Sequence, residues 1–403
     1  MFHASVAIDS CPPSSLTTTP ARLRTAILCN YDANIRPVKD HQNTTAVTFR
    51  LLLKYFNYDH FTHTLSIDAW LSVFWVDQHL RWKPNDYDGI TSIHLKTYEI
   101  WVPDLSVYNR KDQSGEAGVI ELTTCAVSYK GLVLCVPPVH TEALCVPNLR
   151  RYPFDVQNCT VRFGSWVHKG EEVNLTVLKP AVNTDDLMSN GEWELLGATG
   201  IRHSGNYACC PNVTYPSVDI AFEIKRHSGA HAASVLLPLF ACILLTLTSM
   251  WMSPINKDRL TLSFVNFISQ ALHVQHVSFM VPLNGENVPS ILVFSRDSML
   301  LAGVSVIATI FLKYLMESKS LAPVWISETV TFLVSFRTGQ ALLLSDSSLK
   351  GVAEAENKED GITILPNSER DSSTDVWFMF GKLLDILFFI SYVVTYAAMS
   401  LNF

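Results

Sequence analysis

Charged residues are scarce in this chain of 403 residues. Asp, Glu, Lys and Arg make up 17% of it, whereas globular domains usually contain about 25%. Apolar residues make up 48%, and the mean hydropathy is +0.19. A net charge of -7 excludes a strongly basic nucleic-acid binder, and an aromatic content of 11% excludes a disordered or fibrous chain. We therefore expect part of the chain to lie in lipid.

Several motifs are also missing. The sequence contains no Ser/His/Asp elbow, no metal-ligand motif, no glycine loop for phosphate and no internal repeat. These absences argue against an enzyme, and they predict that no cofactor or metal is bound. Residues 1–20 have no basic start and no apolar core, so they contain no recognisable signal peptide. We expect either that the numbering starts inside a longer precursor or that a first exon is missing.

The apolar residues are concentrated in the second half of the chain. Ala232 to Met252 and Leu260 to Gly285 contain no charged residue, and about 20 such residues form a helix that crosses a bilayer. Before Arg226 the short alternating runs are typical of a β-rich domain. Positive residues mark the first and third connections between the apolar runs as cytoplasmic, which predicts that both termini are extracellular. We predict an extracellular domain over 21–228, membrane spans over 232–252, 259–281, 291–313 and 376–403, and a partly disordered cytoplasmic loop over 314–375.

Glycosylation sequons and cysteines indicate an oxidising compartment for the first half of the chain. Eight of the nine cysteines precede the first apolar run, whereas Cys242 lies within it. Disulfides form in such compartments, and Asn-X-Ser/Thr accepts glycans there. The four sequons begin at Asn43, Asn158, Asn174 and Asn212.

The spacing of the cysteines adds detail. Cys145 and Cys159 bracket thirteen residues with a Tyr-Pro-Phe-Asp centre, a composition typical of a rigid turn. Cys209 and Cys210 are adjacent, so they can bond only through a strained eight-membered ring, and strained bridges are usually functional. Cys125 and Cys135 flank a turn sequence and could pair across a hairpin. Whether Cys11 pairs with Cys29 stays open.

These residues match a known family. The loop between Cys145 and Cys159, followed by Phe-Gly-Ser-Trp, resembles the signature of Cys-loop ligand-gated ion channels. The adjacent Cys209 and Cys210 resemble the mark of an α-type nicotinic acetylcholine receptor subunit. The segment Trp101-Val102-Pro103-Asp104, with Tyr108, also resembles this family. The resemblance implies an extracellular β-sandwich, a four-helix membrane domain and assembly into a ring of five subunits.

The resemblance also implies a ligand site made of aromatic rings. A quaternary ammonium cannot donate a hydrogen bond, but aromatic faces attract it, and each desolvated contact contributes about 2 kcal/mol. A single Trp or Tyr is more often a core residue, and we assign Trp75, Trp82 and Trp101 to the core. The ligand-binding residues implied by the family are Tyr108, Trp166, Tyr207, Cys209, Cys210 and Tyr215, with Trp70 on the complementary face of a neighbouring subunit.

Two further features concern this site. The family usually has a hydroxyl residue, an aromatic and often an acid after the tryptophan that matches Trp166, whereas this chain has Val167, His168 and Lys169. Lys169 places a positive charge near the predicted cation site, which would retune agonist affinity. Arg162 and Asp219 match a charged pair that relays loop closure in the family.

One face of the second apolar run is predicted to line a pore. Its residues recur every three or four positions, but the opposite face carries Asn266, Gln270 and His273, so periodicity alone does not choose between the faces. The resemblance assigns the first face to the pore and places Ile268 at a hydrophobic gate. Five copies of Asp258 would attract cations, although a lone Asp at a helix start is more often a cap. The predicted pore residues are Asp258, Thr261, Val265, Ile268, Leu272, His276 and Phe279.

Two functions follow from these patterns. The first is an acetylcholine-gated cation channel subunit in the postsynaptic plasma membrane, in contact with lipid and with other subunits of a homo- or hetero-pentamer, and without nucleic acid. The second is a ligand-binding or accessory subunit that assembles with other receptor subunits but does not conduct. Lys169, Val265 and Phe279 favour the second, because an apolar pore wets less readily.

Overall fold

The computed structural model describes residues 18–112, 118–120, 122–208, 210–282, 285–336 and 368–401. The chain forms two compact units. The sheet unit comprises Met1–Asn148 and Phe154–Ser228, and the helical unit comprises Leu149–Pro153 and Gly229–Phe403. A domain of two sandwich-like sheets followed by helices, as the sequence predicts, is confirmed, and its extracellular location stays a prediction.

The sheet unit begins with helix α1 (Thr19–Leu28) and contains two sheets and a short 3-10 turn (Pro84–Tyr87). One sheet has the order β3-β5-β6-β2-β1-β9, with β7 also paired to β2, and the other has the order β10-β11-β8-β4. The strands are β1 (Thr45–Asp59), β2 (Thr64–Val76), β3 (Ser92–Lys96), β4 (Leu105–Val107), β5 (Thr124–Ser128), β6 (Leu132–Cys135), β7 (Pro138–Leu144), β8 (Val156–Ser165), β9 (Val173–Asn183), β10 (Trp193–Tyr207) and β11 (Cys210–Arg226).

Alternating burial explains how the sheets enclose a core. Along β2, Leu71, Val73 and Trp75 are buried whereas Trp70 is exposed, since successive side chains of a strand point to opposite faces. Trp75, Trp82 and Trp101 all lie in the core of this unit, as the sequence predicts. Disulfides join Cys125 to Cys135, with 4.4 Å between the Cα atoms, and Cys145 to Cys159, with 5.3 Å.

The helical unit contains α2 (Gly229–Trp251), α3 (Lys257–Met280), α4 (Ser290–Met316), α5 (Val324–Val334) and α6 (Ser368–Leu401). The side chain of Asn256 caps α3 by accepting a hydrogen bond from the Asp258 N–H at 2.9 Å. Within the described part of the chain, three helices are long and apolar enough to cross a membrane, namely α2, α4 and Thr374–Leu401 of α6. Helix α3 is less apolar, because Lys257, Asp258 and Arg259 occupy its first turn. Its role as a membrane span stays a prediction.

The segment predicted as a cytoplasmic loop over 314–375 contains helix α5, and α6 begins at Ser368, before the predicted start of the last span. The cytoplasmic location of this segment stays a prediction. Val324–Val334 is an apolar run that contacts α6, and the Trp325 and Phe380 rings meet edge to face at 5.8 Å. Tertiary packing therefore stabilises a helix where the sequence analysis weighed only the acidic stretch that follows.

Candidate ligand site and exposed face of helix α3

Two of the predicted ligand residues form a corner of the four-stranded sheet. Tyr108 directly follows β4 and Trp166 directly follows β8, and these strands pair antiparallel with Leu105 opposite Ser165. The Tyr108 and Trp166 rings meet edge to face, with centroids 6.2 Å apart. The Tyr108 hydroxyl donates to the Ser165 carbonyl at 2.6 Å. Trp166 remains 67% exposed, so its face is available to a ligand.

Gly164 permits this ring pair. A Cβ atom at Gly164 would lie 2.1 Å from Cζ of Tyr108, far inside van der Waals contact. Only glycine lets the Tyr108 ring lie across β8 and reach the Ser165 carbonyl. Glycine at the second position of the Phe-Gly-Ser-Trp motif is therefore required for steric reasons.

The Asp104 carboxylate holds the segment that carries Trp166. Its Oδ1 accepts from the Ser165 hydroxyl at 2.6 Å, and its Oδ2 accepts from the Val167 N–H at 2.7 Å. The Nδ1 of His168 lies 2.9 Å from Oδ1 of the same carboxylate. Hydrogen bonds to an ionised group are stronger than neutral ones, so Asp104 fixes the backbone on both sides of Trp166. The sequence analysis quoted Asp104 as a motif residue and did not assign it this role.

The hairpin between β10 and β11 lies beside this corner. Ser217 on β11 pairs with Gly164 on β8, so Tyr215, two residues away, is level with Trp166. The Gly170 N–H donates to the Thr214 carbonyl at 2.8 Å, which joins the segment after Trp166 to this hairpin. The sequence placed Tyr207 and Tyr215 in one loop. The structure instead extends both strands to the tip, where the Tyr207 backbone pairs with Cys210.

Part of the predicted set falls outside this description. Cys209 and the side chain of Tyr207 lie outside the described residues, so the bond between Cys209 and Cys210 stays a prediction. Lys169 is exposed, and its N–H donates to the Glu172 carboxylate at 3.2 Å.

Trp70 lies in the other sheet, on the outer side of β2, and is 41% exposed. It heads a surface that we call the outer apolar patch. Phe74 pairs with Leu134, and Val76 pairs with Leu132. The sequence analysis selected only Trp70, because β6 is apolar at every position and its sequence does not show which side chains point outward. The outer apolar patch comprises Trp70, Phe74, Val76, Leu132 and Leu134.

The charged pair expected from the sequence is formed. Arg162 and Asp219 are opposite each other in the β8–β11 register, and the guanidinium donates twice to the carboxylate, each time at 2.7 Å. His203 Nε2 lies 3.5 Å from the same carboxylate. Because the Arg162 side chain is half exposed, this pair contributes at most about 1 kcal/mol to stability.

A second ion pair in the sheet unit was missed. The guanidinium of Arg226 is fully buried and donates to Asp155 at 2.9 Å and to Glu192 at 2.7 Å. It also lies 4.2 Å from the centroid of the Trp193 ring. Asp155 ends the Tyr-Pro-Phe-Asp turn, so that motif supplies a buried charge partner besides shaping a turn. Pairing across 71 residues leaves no local sequence signal.

Helix α3 exposes the face that the sequence predicts to line a pore. Asp258, Thr261, Val265, Ile268, Leu272, His276 and Phe279 are all exposed within the single chain. The opposite face is buried and polar, and Asn266 Nδ2 donates to the Thr246 hydroxyl of α2 at 2.8 Å. Gln270 Nε2 donates to the same hydroxyl at 3.2 Å. The structure thus separates two faces that periodicity left equivalent.

A buried ion pair anchors the start of α3. Arg259 is fully buried and its guanidinium lies 2.8 Å from the Asp385 carboxylate of α6. It also donates to the Met252 carbonyl at 2.6 Å. The sequence analysis did not pair these residues, although an acid in an apolar run generally requires a partner.

Three of the four sequons are open to modification. Asn43, Asn158 and Asn212 are exposed. Asn174 is half-buried, and its side-chain oxygen accepts from Arg202 at 2.8 Å. A glycan there would compete with that hydrogen bond. Glycosylation at all four positions stays a prediction.

Comparison with known proteins agrees with this organisation. The family model for the neurotransmitter-gated ion-channel ligand binding domain matches residues 20–228. The neuronal acetylcholine receptor subunit non-alpha-3 of Carassius auratus is 31% identical over 285 residues, which are 70% of this chain and 59% of that protein. Subunit alpha-5 of Gallus gallus is 28% identical over 300 residues, 74% of this chain and 65% of that subunit. Subunit alpha-6 of Mus musculus is 26% identical over 338 residues, 83% of this chain and 67% of that subunit.

A two-sheet domain with a disulfide-closed loop and exposed aromatic rings, followed by apolar helices, has the organisation of a neurotransmitter-gated ion-channel ligand binding domain followed by candidate membrane helices. The chain belongs to the family of neurotransmitter-gated ion channels, in which it is a divergent relative of the neuronal nicotinic acetylcholine receptor subunits. Its relatives are receptor subunits and not enzymes. The chain spans about 60% of the length of the two Carassius auratus subunits that it matches.

Proposed function

We propose that this chain is a subunit of an acetylcholine-gated cation channel. The observation that carries the proposal is the ring pair of Tyr108 and Trp166, held at an exposed corner by Gly164 and Asp104. A trimethylammonium group of acetylcholine would lie against the Trp166 face, since aromatic quadrupoles attract cations without a hydrogen bond. Tyr215 and Tyr207 on the hairpin would close the site from one side.

A neighbouring subunit would close the other side. The outer apolar patch is exposed in the single chain, and Trp70 is its largest ring. In a ring of five subunits, related by rotation, each subunit presents its corner to the next subunit's patch. We propose homo- or hetero-pentamers on this basis, with agonist bound at each such interface.

Opening would follow closure of the hairpin. Arg162 and Asp219 join β8, which carries Trp166, to β11, which carries Tyr215. Movement of the hairpin toward a bound agonist would change the geometry of that ion pair, and the change would be transmitted along β11. Cations would then pass along the exposed face of α3, where five copies of Asp258 concentrate positive ions. This scheme places the protein in the postsynaptic plasma membrane, among lipids, with both termini extracellular.

The decisive test measures binding and current separately. The full chain is expressed in oocytes, alone and with other subunits, and both radiolabelled quaternary-ammonium binding and acetylcholine-evoked current are recorded. Trp166→Leu is expected to weaken binding roughly 30-fold, because one cation–π contact contributes about 2 kcal/mol. Val167→Ala is the matched control, since Val167 is equally exposed and carries no ring. Surface-expressed protein that binds no quaternary ammonium in any combination would refute the proposal.

A non-conducting ligand-binding or accessory subunit is the second candidate. The observation that favours it is the apolar character of the exposed α3 face, where Val265, Ile268, Leu272 and Phe279 are four of the seven predicted pore residues. Such a lining dewets readily. Binding without current in every subunit combination would select this candidate. Under it, Val265→Ser with Phe279→Glu is expected to produce a current that the unmodified chain lacks.

A further inference from the structure

A cleft of about 570 Å³ lies in the sheet unit, and none of the predicted ligand residues lines it. One wall is formed by Ala26 and Ile27 in the C-terminal half of α1. The segment that follows α1, as far as Ile35, continues this wall. The other wall is the segment from His79 to Tyr87, which includes the 3-10 turn. Small-molecule sites occupy about 300–1,000 Å³, so the cleft has the volume of a ligand site.

Aromatic rings form fixed walls of this cleft. The Tyr31 hydroxyl donates to the buried Asp77 carboxylate at 2.7 Å and accepts from the Trp101 N–H at 2.9 Å. The indole N–H of Trp82 donates to the Ile90 carbonyl at 2.7 Å. Because the polar ends of both side chains are engaged, both rings are fixed in place. Both line the cleft, Tyr31 as a half-buried ring and Trp82 with the 8% of its surface that stays exposed. Rings that are already fixed before binding lose little conformational entropy when a ligand binds.

The cleft also contains uncompensated charges of both signs. The charged residues that line it are Asp32, Arg81, Lys83 and Asp86. The Asp32 carboxylate accepts from Asn34 at 2.9 and 3.1 Å, whereas the side chains of the other three form no ion pair or hydrogen bond within the part of the chain that the structure describes. A guanidinium can bind a carboxylate through two parallel hydrogen bonds. A carboxylate binds an ammonium group in the same charge-assisted way. A purely anionic ligand would meet Asp86, and a purely cationic ligand would meet Arg81 and Lys83.

We propose that this α1 cleft binds a small zwitterion with an aromatic or apolar side chain, of the size and chemistry of a free α-amino acid. Its carboxylate would bind Arg81, its ammonium group would bind Asp86, and its side chain would pack against Tyr31 and Trp82. Binding at this cleft does not require the proposed channel activity.

Occupation of the cleft is expected to affect the Trp166 corner. Tyr31 is bonded to the Trp101 backbone, and the Trp101 ring meets the His168 ring edge to face at 6.3 Å. His168 contacts the Asp104 carboxylate that fixes the segment around Trp166. A ligand that restrains Tyr31 would therefore restrain this chain of contacts. This consequence rests on the proposed function, because it needs a ligand at the corner.

Photolabelling tests the site directly. The full chain in membranes is irradiated with 4-azido-L-phenylalanine, and labelled peptides are mapped by mass spectrometry. We expect label within residues 26–35 or 79–87, and we expect L-phenylalanine to compete at least tenfold better than phenethylamine or 3-phenylpropionate, which each lack one charge. Label confined to other segments, or equal competition by the three compounds, would overturn the proposal.

Variants decide whether the charges recognise the probe. Arg81→Gln and Asp86→Asn should each reduce labelling about fivefold or more, since each removes a charge-assisted hydrogen bond. Lys225→Gln and Glu223→Gln are matched controls, because both residues are exposed on β11 and outside the cleft. Surface expression of all four variants is measured first by antibody binding to intact cells. Unchanged labelling of the Arg81 and Asp86 variants would contradict the assignment.

Binding of a radiolabelled quaternary ammonium, with and without L-phenylalanine, tests the coupling. We expect its Kd to shift in the unmodified chain and to stay constant in Arg81→Gln. If the site is labelled but no quaternary ammonium binds, the proposed function fails and the cleft assignment stands. If both bind and no shift occurs, the coupling is wrong.

Discussion

In the sheet unit, apolar side chains fill the interior and the rings of the proposed ligand site lie at the surface, whereas helix α3 of the helical unit has the reverse arrangement. Its buried face carries Ser263, Asn266 and Gln270, and its exposed face carries Ile268 and Leu272. Water surrounds the first unit, so burial of apolar surface drives its packing. In lipid that driving force is absent and hydrogen bonds between helices take a larger part. The buried polar face of α3, bonded to Thr246 of α2, is therefore the arrangement expected of helices that pack in lipid, whereas its exposed apolar face is the one proposed to line the pore.

The buried ion pairs of the two units differ from the exposed ion pair at the surface of the sheet unit. Arg226 and Arg259 are both fully buried, and each is matched by an acid. Arg162 and Asp219 form a comparable pair, but the Arg162 side chain remains half exposed. Burial raises the cost of losing a partner much more than it raises the value of the pair. The location of a pair thus decides whether it mainly maintains structure or can change during function.

The largest expected effect comes from removing the acid of a buried pair. Asp155→Ala leaves the Arg226 guanidinium buried with Glu192 as its remaining carboxylate. Such a loss costs about 3 kcal/mol, which corresponds to a fall of roughly 6–12 °C in the unfolding midpoint of a unit of this size. Tryptophan fluorescence of the purified chain during heating measures it. Asp219→Ala, at the exposed pair, should change the midpoint by less than about 4 °C; equal shifts for the two variants would remove the distinction drawn here.

A steric change at the ligand corner should come next. Gly164→Ala inserts a methyl group into the Tyr108 ring, and overpacking of this kind costs about 1–3 kcal/mol. The ring can escape only by leaving the Ser165 carbonyl and the edge of Trp166. We therefore expect weaker quaternary-ammonium binding together with a lower unfolding midpoint. Gly197→Ala serves as the control, because nothing lies within 4 Å of a Cβ at Gly197 and this residue pairs with Glu223, away from the hairpin tip. Binding that survives Gly164→Ala unchanged would show that Tyr108 does not need its present position.

A smaller effect is expected at the polar face of α3. Asn266→Leu removes the hydrogen bond to Thr246 and replaces a polar side chain by an apolar one of similar size. Hydrogen bonds between membrane helices contribute about 0.6 kcal/mol on average, and Gln270 continues to donate to Thr246. We expect a midpoint change of about 2 °C or less, accompanied by a shift in the agonist concentration for half-maximal current if α3 rotates during opening. Ser269→Ala, on α3 with its hydroxyl bonded to the Val265 carbonyl of the same helix, is the control. A midpoint loss as large as that of Asp155→Ala would mean that the polar face is the main support of the helical unit.

The sequence predicted those parts of the molecule that depend on local pattern. Alternation along the strands predicted a β-rich domain, and the family resemblance predicted the sandwich. Apolar runs predicted the helices to within a few residues at α2 and α4. The motif around Trp166 predicted the corner with Tyr108 through its resemblance to a family. Contacts between distant segments were not predicted. No residue near Asp155 in the sequence indicates its pairing with Arg226, and none near Arg259 indicates its pairing with Asp385. The outer apolar patch also escaped, since it depends on which face of β6 points outward.

The smallest effect concerns Asp77, the acid behind the Tyr31 wall. Burial raises the pKa of the Asp77 carboxyl. Burial is also the largest cause of the raised pKa of Tyr31, and its hydrogen bond to Asp77 is the next largest. Tyr31 therefore stays a neutral donor at physiological pH. A carboxyl whose pKa is higher in the folded than in the unfolded chain adds stability below the unfolded value of about 3.9 and loses that contribution as pH rises through the folded value.

Asp77→Asn should remove this one component of the pH dependence. The amide oxygen can still accept from the His79 and Leu80 N–H groups, which bond to one oxygen of the carboxylate. From about pH 4 upward, the unfolding midpoint of the unmodified chain should fall relative to that of the variant, whereas at lower pH the difference between them should be constant. Asp68→Asn is the control, because Asp68 is half exposed beside His140. A difference between the chain and Asp77→Asn that grows in the opposite direction with pH would mean that hydrogen bonds from Tyr31, His79 and Leu80 outweigh burial at this carboxyl.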